Sequence, residues 1–127
     1  MLFFDLFRHD PNLINVAAGG HLFREGDAGH AMYVLLSGKA QILLGNLPVE
    51  DVGAGDVVGE LAVIEDAPRS ATVRTHTACT FVEIDQARFR FLVEEMPYFA
   101  IEVMRVMARR LRHCDAQLKE LSAQPVA

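Results

Sequence analysis

The chain has 127 residues, 51% hydrophobic and 23% charged, which predicts one globular domain with a single core and excludes a disordered, fibrous or multidomain protein. A formal net charge of −5 excludes a protein that holds DNA or RNA by bulk phosphate neutralisation, so any anionic ligand needs a local device. No apolar stretch approaches the roughly 20 residues needed to cross a bilayer, so no membrane association is expected.

The opening MLFFDLFRHD carries Asp5 ahead of its first basic residue and has no small-residue cleavage site. It does not read as a signal peptide, and a cytoplasmic location is the expectation. From about Gly20 to Asp85, short β-branched or aliphatic runs (HLFREGD, MYVLLSG, KAQILLG, VEDVGAGDVVG, SATVRTH, CTFVEID) are broken every few residues by glycine. That spacing predicts a sandwich, roll or barrel with turns at Gly26-Asp27, Ser37-Gly38, Gly45-Asn46 and Gly53-Ala54-Gly55-Asp56. After Asp85 the pattern becomes helical. Asp85 is an N-cap for a helix at 86–95, and Pro97 opens a second helix over 97–121. In the second helix Met104, Met107, Leu111, Cys114, Leu118 and Leu121 alternate spacings of three and four, an a/d seam of about two and a half heptads. Two readings of the seam stand: pairing with its copy in a homodimer, or packing on the β-domain. The closing SAQPVA predicts a frayed end. Cys79 and Cys114 fall in separate elements without metal-type spacing and read as two reduced thiols.

The segment with the most chemistry is Gly59–Thr72. Gly59-Glu60-Leu61-Ala62-Val63-Ile64 predicts one or two helical turns beginning at a glycine after the strand-like Val57-Val58. A helix start offers unpaired N–H groups to an anion, and glycine lets the ligand approach the backbone. Arg69 follows, ahead of a strand at Ser70–Thr75. Its guanidinium suits a two-pronged bond to phosphate, and Ser70 adds a hydroxyl donor. Glu60 only accepts hydrogen bonds, so it would repel a phosphate but suit a sugar hydroxyl. Taken singly, each has a plainer role: Glu60 as an acid in a first helical turn, Arg69 as a surface arginine paired with Glu65 or Asp66. Glycine, acid and arginine together fit a ribose phosphate.

The run G-E-L-A-x6-R-S-A-T, here Gly59, Glu60, Leu61, Ala62, Arg69, Ser70, Ala71 and Thr72, resembles the phosphate-binding cassette of the cyclic nucleotide-binding domain family. That family includes catabolite-activator-type regulators, protein kinase regulatory subunits and nucleotide-gated channels. The likeness runs over about Val16–Leu121 and takes in Gly26-Asp27, Met32-Tyr33-Val34 with Gly38, and Ala108–Leu111. It implies an α+β, mainly β fold: a jelly-roll-like β-roll over about 16–85, a short helix in the cassette and two C-terminal helices, in one domain of 1–127. It implies Glu60 on the ribose 2′-hydroxyl and Arg69 on the cyclic phosphate, with Ser70 and the amides of Leu61, Ala62 and Ala71 completing the cradle. It also implies Arg110 near the purine, while the hydroxyl pair that reads adenine in the catabolite activator falls at Cys114 and Asp115. Cyclic AMP is favoured over cyclic GMP as ligand on that likeness, and Ser70 is compatible with either.

Other chemistries lack their residues. His9, His21, His30, His76 and His113 show no HxH or HxxxH pairing for a cupin-like metal enzyme, and no N-terminal cysteine cluster supports an iron–sulfur sensor, so no cofactor is expected. Arg105, Arg109, Arg110, Arg112 and His113 spread around a helix's polar face, and no nucleic-acid contact is expected. Ser70 has no histidine base near it in sequence, and the metal ligands of a phosphodiesterase are not visible, so the reading is a non-enzymatic sensor. Six residues after Leu121 leave no room for a helix-turn-helix, which makes the expectation a stand-alone module. The alternatives are the sensor part, or a short relative, of a Crp/Fnr-type transcription regulator, and an interaction module that binds no nucleotide.

Overall fold

The computed structural model describes residues 2–123. In chain order these form α1 (Leu2–Phe7), β1 (Leu13–Val16), β2 (His21–Phe23), β3 (Ala31–Ser37), β4 (Ala40–Leu44), β5 (Leu47–Val52) and β6 (Val57–Val58). A one-turn 3-10 helix (Glu60–Val63), β7 (Thr72–Thr75), β8 (Cys79–Asp85), α2 (Gln86–Glu95) and α3 (Pro97–Ala123) follow. The strands make two antiparallel four-stranded sheets, ordered β1-β8-β3-β6 and β2-β7-β4-β5. This is the β-roll with C-terminal helices that the sequence predicts. The chain divides into two compact units, 1–90 and 91–127.

The pattern of apolar residues explains which strands lie centrally. In β3, Ala31, Met32, Val34 and Leu35 are all buried, as a strand hydrogen-bonded on both sides and covered on both faces requires. Leu35, Ala40, Val52, Val58, Val73, Cys79 and Phe81, contributed by β3 to β8, close one core cluster, and Phe23 and Tyr33 pack at its edge. The buried Thr75 is fully satisfied: its Oγ1 donates to the Ala17 carbonyl at 2.6 Å and accepts from the Gly20 amide at 3.0 Å. Gly38, at φ +100, closes the β3–β4 turn where a Cβ would lie 2.7 Å from Cys79 Sγ.

Several boundaries differ from the sequence expectation. The first strand begins at Leu13, before residue 16, because LINV pairs along β8 from Leu13↔Val82 to Val16↔Cys79; four residues are too few to display a period. The strand expected at Ser70–Thr75 starts only at Thr72. Arg69 spends its backbone elsewhere: its amide donates to the Asp27 carbonyl and its carbonyl accepts from the Gly26 amide, both at 2.8 Å. Helix α1 was not expected from MLFFDLFRHD; it ends on Phe7, which is buried. Asp85 caps α2 as expected, its Oδ1 accepting from the Arg88 amide at 2.8 Å. Helix α3 runs two residues beyond 121, to Ala123, so Ser122 and Ala123 of SAQPVA are helical and the rest of that end lies outside the described residues.

In α3, Phe99, Val103 and Val106 are buried. Along the a/d seam, Met104, Leu111, Cys114, Leu118 and Leu121 are exposed, with Leu111 at 64% and Leu118 at 63%, and Met107 is half-buried.

Arg88 anchors the segment after α1. It pairs with the Asp10 carboxylate, donates to the Glu83 carbonyl at 3.2 Å and lies over the Phe7 ring at 5.4 Å. Burial pushes the Asp10 carboxyl up, but hydrogen bonds from Arg88 and the Asn12 amide, with Arg88's charge, hold it below its ordinary 3.8. A carboxyl depressed in the folded state stabilises above its unfolded pKa and loses that contribution as pH falls through the folded one. Asp10→Asn is expected to destabilise by about 1.5–3 kcal/mol at pH 7. In urea titrations its deficit against wild type should shrink as pH falls below 3.8.

Candidate functional site

The site grows from the end of β6. Gly59 adopts φ +74, a left-handed conformation that L side chains rarely take, and turns the chain out of the strand into the 3-10 helix. The Ala62 amide donates to the Gly59 carbonyl at 3.1 Å, and the Ile64 and Glu65 amides donate to the Leu61 carbonyl. Apolar Ala62 and Val63 turn inward and Leu61 outward, as a single tight turn dictates. Glu60 turns inward as well and is only 6% exposed.

Arg69 comes back to this turn from the other end of the segment. It is 7% exposed, and its Cζ lies 4.1 Å above the Phe23 ring centre and 5.7 Å from that of Tyr33. Its Nη1 donates to the Gly59 carbonyl at 3.5 Å, the outer limit of a hydrogen bond. Its Nε is buried with no hydrogen-bond partner. Two glycines make room: a Cβ on Gly29 would lie 2.5 Å from the Arg69 Cζ and Nη2, and one on Gly59 would lie 2.7 Å from Nη1. Burial pulls the guanidinium below its ordinary pKa, with Tyr33, Asp27 and Glu83 acting in the opposite sense. Burial raises the Tyr33 hydroxyl, helped by Glu83's charge and opposed by Arg69.

Of the residues singled out in the sequence, Gly59, Glu60, Ala62 and Arg69 gather at this turn. Leu61 and Ser70 are exposed and Ala71 is half-buried. Arg110 is half-buried on α3, in the second unit. The plainer reading of Arg69 as a surface arginine paired with Glu65 or Asp66 does not hold, because Arg69 is buried. Asp66 instead accepts from Gln86 Nε2 at 3.2 Å and lies 3.5 Å from His30 Nδ1. The Ala62 amide, expected in a ligand cradle, is already used within the turn. Sequence reasoning missed Phe23, Tyr33 and Gly29, which surround the guanidinium, and Gln86, whose amide donates to both Ala62 O, at 3.1 Å, and Asp66. Nothing in their spacing marks them, although Phe23 and Tyr33 do fall on strands. Among the described residues, no three His, Cys, Asp or Glu side chains converge as metal ligands.

A desolvated guanidinium and a buried carboxylate, both on the segment that turns at Gly59, suit a ligand that is anionic at one end and hydroxylated at the other. The family model described as cyclic nucleotide-binding domain matches residues 13–96. The chain belongs to the cyclic nucleotide-binding domain family. It is 29% identical over 115 residues to the CRP-like cAMP-activated global transcriptional regulator of Mycobacterium tuberculosis, covering 85% of this chain and 50% of that protein. It is 37% identical over 82 residues to the cAMP-dependent protein kinase regulatory subunit of Emericella nidulans, covering 63% of this chain and 20% of that one. The crystal structure of the Thermus thermophilus catabolite activator protein superposes with a TM-score of 0.77 at 27% identity, over 87% of this chain and 54% of the other. This cyclic nucleotide-binding domain thus spans about half the length of the regulators it matches.

The Gly59 turn is sensitive to any side chain. Gly59→Ala places a Cβ at φ +74 and 3.2 Å from the Ala31 carbonyl. It is expected to destabilise by at least about 1–2 kcal/mol, read as a lower urea midpoint with an unchanged slope.

Proposed function

We propose that this domain binds a 3′,5′-cyclic nucleotide at Gly59–Thr72 and acts as a sensor, not a catalyst. One observation carries the reading: a nine-tenths buried arginine with an unpaired Nε, on the same segment as a buried Glu60. Leaving such a donor unsatisfied is costly, and an anionic ligand removes that cost. In this reading Arg69 holds the cyclic phosphate with Ser70 and the amides of Leu61 and Ala71, and Glu60 accepts the ribose 2′-hydroxyl. Gly59 lets the sugar-phosphate approach the backbone, and Ala62 shapes the turn rather than donating to the ligand. Cyclic AMP is the favoured ligand, because the mycobacterial and Emericella relatives are named for it, with Arg110 on the base.

Ligand capture would be passed on by Gln86, the first residue of α2, which holds the cassette at Ala62 and Asp66. Residues 1–127 act as one sensory domain in the cytoplasm, without direct nucleic-acid contact, and the exposed seam of α3 pairs two copies. A second reading, the sensor part of a longer transcription regulator, is favoured by the 50% of the mycobacterial protein that is matched; a native reading frame that continues into a recognition helix supports it.

A thermal-shift panel of cyclic AMP, cyclic GMP and cyclic dinucleotides tests the ligand. At 100 times the dissociation constant a ligand adds about 2.7 kcal/mol of stability, and no shift with any of them leaves an interaction module as the answer. Arg69→Ala and Arg69→Lys should each weaken binding roughly ten- to a hundredfold by calorimetry. For the seam, sedimentation should find a dimer in wild type and a monomer in Leu111→Glu/Leu118→Glu; a wild-type monomer rejects the pairing.

A further inference from the structure

The Arg69 side chain does not reach its position on its own. Its guanidinium donates to the Gly59 carbonyl at the limit of length, interacts with the Tyr33 hydroxyl, and has an Nε with no hydrogen-bond partner. The Nε–H is left unspent by these contacts. What surrounds it is a flat slot. The Phe23 ring lies beneath it at 4.1 Å, Tyr33 stands 5.7 Å away, and Tyr33 is itself braced against Phe81 by an edge contact at 6.4 Å. On Gly29 an added Cβ would fall on the guanidinium itself. Gly29 has an ordinary backbone φ, so the conformation there does not require glycine. The three atoms nearest that Cβ all belong to the Arg69 guanidinium, so the absent side chain leaves the arginine its room.

We propose that Phe23 and Gly29 are positioning residues that form a cation–π slot holding the Arg69 guanidinium, with its Nε–H unspent, in the orientation from which it takes a phosphate. A planar cation stacked on a ring keeps its in-plane N–H groups available, whereas a salt bridge would consume them. The slot supplies attraction without competing with the anion. This inference rests on the reading of Arg69 as the phosphate ligand, but the slot itself exists without ligand.

Proton–nitrogen NMR of the ligand-free protein reads the slot directly, with Arg69→Lys assigning the Arg69 Nε–H signal. In wild type that signal should be shifted upfield by the ring and protected from exchange. Phe23→Tyr should keep the shift, and Phe23→Leu and Gly29→Ala should lose it while circular dichroism stays native. A wild-type signal at the position of an exposed arginine, or one unmoved by Phe23→Leu, overturns the proposal whether or not a nucleotide binds. If no cyclic nucleotide binds wild type, the ligand reading fails and the slot is still decided by this spectrum. With cyclic AMP bound, Phe23→Leu should lose roughly three- to thirtyfold in affinity, and Phe23→Tyr much less. Phe23→Leu and Gly29→Ala should also narrow the preference of wild type between the two phosphorothioate diastereomers of cyclic AMP, which differ in the oxygen replaced by sulfur. Unchanged affinity and unchanged preference in both variants overturn it.

Discussion

A guanidinium taken out of water with an unmade hydrogen bond is the constraint around which the first unit is built. Desolvating a cation is expensive, and a chain tolerates it only where the surroundings return part of the loss. Here the return comes from aromatic faces, a distant carbonyl and the charge of Glu83 and Asp27. None of these neutralises Arg69 by contact, and two glycines are given up to make the room. The Arg69 backbone is bound tightly in both directions to the Gly26-Asp27 turn, so the residue cannot withdraw from the interior without opening that turn. The fold fixes the backbone and leaves the side chain's Nε–H unspent.

Thr75 shows the contrast. It is as buried as any core residue, its hydroxyl both donates and accepts at good distance, and it ties the Ala17–Gly20 turn to β7. That is a buried polar group used for structure. Arg69, six residues earlier on the same path through the roll, is a buried polar group left incomplete, and the proposed ligand role is what accounts for it.

Much of this could be read before any coordinates. Glycine-spaced aliphatic runs announced the strands, Asp85 and Pro97 announced both C-terminal helices, and the cassette announced Glu60 and Arg69, because these signals are local and each is tied to a specific backbone or chemical need. What could not be read is what depends on strands far apart in sequence meeting. Phe23 and Tyr33 look like ordinary strand residues until β2, β3 and the segment before β7 converge on one guanidinium. Gly29 looks like a turn glycine, yet its value is the space it leaves. The start at Leu13 was hidden because pairing with β8, not composition, makes LINV a strand. Within the cassette the sequence does not show that the Ala62 amide closes a single 3-10 turn.

The same cassette is joined to the rest of its unit by bonds that follow one another along the chain's surface. Gln86 holds Ala62 and Asp66; Asp85, its neighbour, caps α2 through Arg88; Arg88 grips Asp10 and covers Phe7 at the end of α1. A movement of the 3-10 turn must either break the two bonds from Gln86 or carry the first turn of α2 with it, and the cap and the Asp10 pair bear on that same turn. Contiguity of this kind is a physical requirement for a response that leaves the site through bonds, and the coupling energy it carries is set by its weakest member. The bonds from Gln86 are neutral or partly exposed, whereas the Arg88–Asp10 pair is charged and largely buried. The weaker joint is therefore at the cassette, and the firmer one at the base of α1 and α2.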